Sequence, residues 1–97
     1  MPSVELAQSA VDDLDELIRT HSLPGDTRAR VARSLRPLGE FPQMGPELAG
    51  RWTGMRFVLG PWRWMLLVYV VLPDEGRVVV VTIQDARSVH APTTVGR

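Results

Sequence analysis

The chain has 97 residues, of which 44% are hydrophobic and 23% charged, and its eleven arginines balance eleven acidic residues. This length suits one domain, and the apolar content excludes an intrinsically disordered segment because it is enough to build a core. Without cysteine the chain has no disulfide framework, no thiolate nucleophile and no cysteine-based zinc site. We therefore expect a single domain over residues 1–97, with residues 91–97 as a flexible tail.

The hydropathy pattern argues against a membrane protein. The longest wholly apolar run, Trp64 to Leu72, has nine residues, whereas a membrane-spanning helix needs about 20. The first residues include Glu5 and Asp12, where a secretory signal would place a basic stretch and an apolar run. We expect a cytoplasmic protein that does not enter a membrane.

Charge is distributed unevenly along the chain. Residues 1–26 carry six acidic residues and one arginine, whereas residues 27–97 carry ten arginines and five acidic residues. The exclusive use of arginine fits a GC-rich genome, and it also suits bidentate binding of carboxylate or phosphate. With a net charge of zero, strong nonspecific binding to nucleic acid is not expected.

The first half of the chain predicts a short strand from Ser3 to Leu6 and then a helix. Ser9 followed by Asp12 predicts the N-cap of that helix. An apolar stripe then recurs at spacings of three and four residues, at Ala7, Val11, Leu14, Leu17 and Ile18. We expect the acidic residues on the solvent face of this helix rather than in a catalytic pair: Asp12, Asp13, Asp15 and Glu16.

A Pro24-Gly25 turn separates this helix from a second one, predicted from about Thr27 to Arg36 with Asp26 or Thr27 as its cap. Its arginines either form a solvated face with salt bridges to the first helix or offer a basic surface to a nucleic acid or an acidic protein. Pro37 ends the helix. The segment Leu38 to Gly50 is predicted to be a loop with four apolar anchors: Leu38, Phe41, Met44 and Leu48.

The second half changes to the pattern of strands. Three are predicted, at Trp52 to Leu59, Trp62 to Leu72 and Arg77 to Gln84, and the short turns between them favour antiparallel neighbours. The middle strand is apolar on both faces, so it should be central and covered on both sides. Two helices can cover only one face, and we expect the C-terminal tail, a second copy or a different protein on the other.

Motifs for common chemistries are missing. No glycine-rich phosphate loop occurs, and the two histidines, His21 and His90, fall in predicted loops without the spacing of metal ligands. We therefore expect no metal and no cofactor. Arginines on the predicted sheet could stabilise the phosphorane of metal-independent RNA cleavage, but a general base and acid would also be required. The tryptophans are more typical of a core than of a ligand cage, although Trp62 and Trp64 share a predicted strand face and could dock a partner.

The order of these elements resembles the RelE/ParE superfamily, the toxin halves of bacterial type II toxin–antitoxin pairs. Residues 10–17 (AVDDLDEL) match the family's A-x-x-D-L-x-x-[LI] helix. The loop match consists of Leu38, Pro42, Gly45, Leu48 and Gly50. The strand matches are residues 56–59, 67–69 and 80–83, followed by Arg87, so that the resemblance covers residues 3–90.

The resemblance implies an α+β fold in which an N-terminal helical hairpin packs on one face of a small, mostly antiparallel sheet of three to four strands. It also implies a cognate antitoxin, acidic and folding on binding, that clasps the open face and edges. We assign antitoxin contacts to Trp62, Trp64, Leu66 and Arg51. The cellular target would be the ribosome and its mRNA or DNA gyrase.

The match departs from the nuclease members of the family at the residues that they use for catalysis. Leu66 stands where they carry an arginine, an apolar run with Arg56 replaces their lysines, and no tyrosine follows Arg87. A nuclease would need an altered site composed of Arg56, Arg63, Arg87 and His90. Three functions stay open at this point: an mRNA interferase, a gyrase inhibitor without enzymatic activity, and a non-toxic antitoxin partner or co-repressor.

Overall fold

A computed structural model describes residues 2–88 and shows which predicted elements form. Strand β1 (Ser3–Leu6) precedes two helices, α1 (Gln8–His21) and α2 (Thr27–Leu35), and three further strands follow, β2 (Arg56–Leu59), β3 (Met65–Leu72) and β4 (Arg77–Asp85). Short 3₁₀ helices lie at Arg36–Gly39, Gly50–Trp52 and Pro73–Glu75. The predicted α+β class is confirmed, whereas the predicted tail at 91–97 lies outside the described residues.

The four strands form one mixed sheet in the order β1-β4-β3-β2. Strand β1 pairs with β4 in parallel, from Ser3 opposite Arg77 to Leu6 opposite Val80, and the other pairs are antiparallel. Both helices pack on one face of this sheet, as expected. The helix-side core joins residues of the helices and the 3₁₀ turn to those of the sheet: Ala10, Leu14, Val31, Leu35, Leu38, Met65, Leu67, Tyr69, Val78, Val80 and Ile83.

Helix α1 also closes the edge of β4 that β1 leaves unpaired. The Ser9 hydroxyl donates to the Val81 carbonyl, and the Asp13 carboxylate accepts from the Ile83 amide at 3.1 Å and from the Thr82 hydroxyl. The predicted N-cap at Ser9 is therefore wrong, since Ala7 occupies the N-cap without a side-chain hydrogen bond. Asp13 was expected in solvent and instead faces the sheet. Unpaired backbone groups at a sheet edge need such partners.

Strand β3 is buried on both faces, as predicted, with Met65 to Tyr69 at most 2% exposed. On the face away from the helices, Leu66 and Val68 pack against Leu48, Trp52, Met55, Phe57, Val81 and Ala86. The chain's own segment before β2 therefore covers this face, where we had expected the tail, a second copy or another protein. The strand predicted from Trp52 begins only at Arg56, because Gly50–Trp52 forms a 3₁₀ helix and Gly54 turns the chain at a φ of 91°.

The covering segment is attached to the sheet by a cluster that we call the Arg56 clamp, which consists of Gly45, Glu47, Arg56 and Tyr69. The Arg56 guanidinium donates to the Gly45 carbonyl at 2.7 Å and to the Glu47 carboxylate at 3.0 Å, and the Gly45 amide donates to the Tyr69 hydroxyl at 3.1 Å. Phe41 and Met44 were expected to anchor this loop, but they are 62% and 53% exposed. Anchoring instead comes from Leu38, Leu48 and the clamp.

The clamp predicts a stability difference between two glycine substitutions. A Cβ at Gly45 would lie 2.2 Å from the Phe57 carbonyl oxygen and 2.9 Å from the Tyr69 hydroxyl, whereas a Cβ at Gly25 would meet nothing within 4 Å. We expect Gly45→Ala to lower the free energy of unfolding by about 1–3 kcal/mol. Gly25→Ala should leave it unchanged or raise it by up to about 1 kcal/mol. Urea denaturation of the two variants measures the difference, and equal stabilities would contradict this account of the clamp.

The contacts of Asp13 with the edge of β4 predict a second difference in stability, between two aspartate substitutions. Asp13→Ala removes the acceptor of the Ile83 amide and should lower the free energy of unfolding by about 1–3 kcal/mol. The matched control is Asp12→Ala on the exposed side of the same helix, which should change it by less than about 0.5 kcal/mol. A thermal or urea melt in which both variants behave alike would show that Asp13 does not stabilise this edge.

Candidate functional site

Two tryptophans, a histidine and an ion pair meet at one end of the sheet. We call this cluster the tryptophan corner and define it as His21, Trp62, Trp64, Asp85 and Arg87. The indoles of Trp62 and Trp64 stack with ring centres 6.1 Å apart, and the imidazole of His21 stacks on Trp64 at 4.8 Å. The Trp64 carbonyl accepts from the Ala86 amide, so this corner joins the turn before β3 to the end of β4.

The corner lies on the helix side of the sheet, which differs from the sequence prediction. Trp62 and Trp64 were expected inside a strand, on the same face as Leu66. Instead the chain turns there, with the Gly60 amide bonded to the Met65 carbonyl at 2.9 Å, and β3 begins only at Met65. The alternation of a strand does not apply within a turn, so both indoles pack against the helix-side core.

An ion pair fixes the position of Arg87. Its Nε donates to Oδ1 of Asp85 at 3.0 Å and its Nη2 donates to Oδ2 at 2.9 Å, while its guanidinium carbon lies 4.9 Å from the centre of the Trp64 ring. Hydrogen bonding from Arg87 lowers the pKa of Asp85 to about 2, although partial burial opposes this. The same pair raises the pKa of Arg87. An external anion that binds Arg87 must therefore either use the remaining N–H donors of Nη1 and Nη2 or displace Asp85.

Two residues of this site, Asp85 and His21, were not found from the sequence. His21 was predicted in a loop but is the last residue of α1; its Nε2 lies 3.3 Å from Oδ2 of Asp85, and its Nδ1 lies 2.9 Å from the hydroxyl of Thr20. That hydroxyl already donates to the Glu16 carbonyl. Both ring nitrogens can therefore donate when the imidazole is protonated, which places an acid–base group beside Arg87.

The predicted catalytic residues do not all lie together. Arg63 is exposed in the turn between the two tryptophans, so it lies at the same end of the sheet as Arg87. Arg56 pairs opposite Tyr69, which is four residues along β3 from Met65, roughly 13 Å at the rise of a strand. Its guanidinium is engaged in the Arg56 clamp. His90 lies outside the described residues.

The predicted antitoxin contacts lie on two faces. Trp62 and Trp64 are half-buried on the helix side. Leu66 is 2% exposed on the opposite face, where Trp52 packs against it, and the guanidinium carbon of Arg51 lies 5.4 Å from the centre of the Trp52 ring. A partner that contacts all four residues must reach both faces of the sheet.

Within residues 2–88, no three histidine or acidic side chains come together in a way that could hold a metal ion. In the same part of the chain, neither helix is both long and apolar enough to cross a membrane.

The low pKa of Asp85 predicts how stability depends on pH. Its pKa is lower in the folded chain than the ordinary value of 3.8, so its contribution is fully present above about pH 4 and is lost as the pH falls toward about 2. Because Arg87 is 62% exposed, we expect a contribution on the order of 1 kcal/mol.

Urea titrations between about pH 2 and pH 7 measure this contribution. The Asp85→Asn variant should be less stable at neutral pH and should lose less stability on acidification than the wild type. Asp74→Asn, at an exposed position, provides the matched control. Identical pH profiles for the wild type and Asp85→Asn would contradict a stabilising ion pair.

No protein-family model matches the sequence, and no curated protein matches it significantly. Solved structures do match the fold. The chain is similar to a structure of the chromosomal ParDE toxin–antitoxin system of Pseudomonas aeruginosa, with a TM-score of 0.68, 17% identity, and coverage of 90% of this chain and 98% of that one.

Two further toxin–antitoxin structures are similar over nearly their whole matched chains. The RelBE2 complex of Mycobacterium tuberculosis gives a TM-score of 0.66 at 22% identity, covering 88% of this chain and 99% of that one. The intact RelBE complex of Escherichia coli gives a TM-score of 0.64 at 15% identity, covering 91% of this chain and 100% of that one. With this coverage, the chain shares its fold with these ParDE and RelBE structures, as the resemblance in sequence predicts.

Proposed function

We propose that the chain is the toxin component of a type II toxin–antitoxin pair, which inhibits growth until an antitoxin neutralises it. The observation that carries this proposal is the likeness in fold over nearly complete chains. It extends to 90% of this chain and 98% of its match in the ParDE system, and to 91% and 100% in the RelBE complex. A shared fold alone does not assign a function, so the proposal needs its own test.

The partner in this proposal is a cognate antitoxin, acidic and folding on binding. Exposed arginines support an acidic partner: Arg33 and Arg63 have no ion pair within residues 2–88. The proposed contacts are Trp62, Trp64, Leu66 and Arg51. Contact with Leu66 requires the segment that carries Trp52 to move, because that segment buries it.

The mechanism that we favour is cleavage of mRNA on the ribosome without a metal ion. The 2′-hydroxyl oxygen would form a bond to phosphorus as the bond to the 5′-oxygen breaks, with a base accepting the 2′ proton and an acid or water protonating the leaving oxygen. Arg63 and Arg87 would stabilise the phosphorane charge. Arg56 and His90 complete the proposed set, and His21 is a further candidate acid–base group because it contacts the carboxylate of Asp85 that binds Arg87.

A second candidate is a DNA gyrase inhibitor without enzymatic activity. The observation that favours it is the engagement of two of the proposed catalytic arginines by groups of the same chain. Arg56 binds the Gly45 carbonyl and Glu47, and Arg87 binds Asp85. In this alternative both arginines have structural roles, and the toxin acts by binding alone.

Induced expression without an antitoxin, followed by pulse-labelling of new protein and new DNA, tests the proposal. We expect growth to stop and protein synthesis to fall before DNA synthesis. Arg87→Ala should abolish this effect, because it removes the guanidinium that would bind the phosphorane. The matched control is Arg36→Ala, which removes an exposed arginine of the 3₁₀ turn after α2.

The other outcomes decide between the alternatives. An earlier fall in DNA synthesis, unaffected by Arg87→Ala, would favour the gyrase inhibitor and overturn mRNA cleavage. Undisturbed growth with soluble, folded protein would overturn toxicity and leave a non-toxic antitoxin partner or co-repressor.

A further inference from the structure

A shallow pocket lies beside the tryptophan corner, where α2 meets the turn before β3. It is lined by Asp26, Arg30, Arg33, Ser34 and Pro61. The guanidinium carbon of Arg30 lies 5.8 Å from the centre of the Trp62 ring, and its Nε is bonded to Asp26 at 3.0 Å. The half-buried indole of Trp62 therefore adjoins the pocket through Arg30, and the residues that line the pocket itself are mostly charged or polar.

Positive charge is concentrated around this pocket. Arg30 and Arg87 lie over the indoles of Trp62 and Trp64, Arg33 lines the pocket, and Arg63 is in the turn between the two tryptophans. The only carboxylates bonded to these four arginines in residues 2–88 belong to Asp26 and Asp85. Arg33 and Arg63 are exposed without an ion pair in the described part of the chain. Apart from Asp26, the exposed acidic residues of the described hairpin lie on α1: Asp12, Asp15 and Glu16. The field at the pocket therefore favours an anionic ligand despite a net charge of zero.

Neighbouring side chains of the tryptophan corner fix the position of the two indoles. Trp64 contacts His21, Arg87 and Trp62 at once, with ring or guanidinium distances of 4.8, 4.9 and 6.1 Å. His21 and Arg87 are in turn held by Asp85. Trp62 lies at the other end of this stack, and the Arg30 side chain, which is 43% exposed, lies over its ring.

We infer that this pocket binds a single strand of RNA. A base would stack on Trp62 in place of the Arg30 guanidinium, and Arg33 and Arg63 would bind neighbouring phosphates. Aromatic rings beside unpaired cations are the combination with which proteins hold single-stranded nucleic acid. We favour RNA over an acidic protein segment for this pocket because RNA would use both features, a base on the Trp62 indole and phosphates on the arginines, whereas a carboxylate would use the arginines alone.

This inference rests on the mRNA-directed form of the proposed function, since it names the part of the toxin that would hold the substrate strand. Its test is nevertheless separate. Binding of an oligonucleotide to the purified chain does not depend on toxicity, and toxicity can arise without this pocket.

The experiment is a fluorescence-anisotropy titration of a labelled single-stranded RNA of about eight nucleotides, at several salt concentrations between about 50 and 200 mM. We expect Arg33→Glu and Arg63→Glu each to weaken binding roughly tenfold at low salt. Each should also reduce the slope of log K against log salt by about 0.7 for every phosphate that the variant no longer binds. The control is Arg36→Glu, which makes the same charge change outside the pocket and should alter affinity by less than about twofold.

A second pair of variants tests stacking independently of charge. Trp62→Leu should weaken binding at every salt concentration without changing the slope. Trp52→Leu alters the matched indole on the other face, which also lies beside an arginine, and should leave affinity unchanged. Circular dichroism of each variant establishes that it is folded.

Three results would overturn the inference. The first is equal loss of binding in Arg36→Glu and Arg63→Glu, which would mean nonspecific charge attraction. The second is unchanged affinity in folded Trp62→Leu. The third is binding of an acidic peptide of equal charge without binding of the RNA, which would assign the pocket to a protein partner.

Discussion

The Arg56 clamp is the contact on which much of the remaining architecture depends. One guanidinium holds the Gly45 carbonyl and the Glu47 carboxylate, and the Tyr69 hydroxyl accepts from the Gly45 amide beside it. These bonds attach the segment before β2 to the sheet, and that segment carries Leu48, Trp52 and Met55 over Leu66 and Val68. Because the second face is closed in this way, described residues of the chain itself bury its most apolar strand. Arg33 and Arg63, which have no ion pair within residues 2–88, lie at the end of the sheet where α2 meets the turn before β3.

Sequence patterns predicted the elements well where the relevant forces are local. Helical periodicity located both helices, and the turns between apolar runs predicted the antiparallel neighbours of β3. The errors arose where distant groups compete. Serine is a favoured N-cap residue, but the Ser9 hydroxyl instead donates to the carbonyl of Val81, 72 residues away, because the edge of β4 needs a donor there. Trp62 and Trp64 continue an alternating pattern, but a turn places them on the other face.

The candidate site was predicted in part. Residue types alone drew attention to Arg63, Arg87 and the two tryptophans. The fold brings Arg87 and the tryptophans into contact, and Arg63 lies in the turn between the tryptophans. His21 could not be found in this way, because its partner Asp85 is 64 residues away and neither residue belongs to a recognisable motif. Arg56 is the opposite case. It was predicted as a catalytic residue from its residue type, but backbone carbonyls of the same chain bind its guanidinium.

The pairing of the first strand with the last has a consequence for synthesis. Ser3 to Leu6 hydrogen-bond in parallel to Arg77 to Val80, so the sheet cannot be completed until β4 has left the ribosome. Until then β1 and the start of α1 lack the strand against which they pack. Such long-range pairing makes folding slow compared with local helix formation. The sheet is therefore completed only after β4 has been translated, and a nascent chain that stops before Asp85 and Arg87 cannot assemble the tryptophan corner.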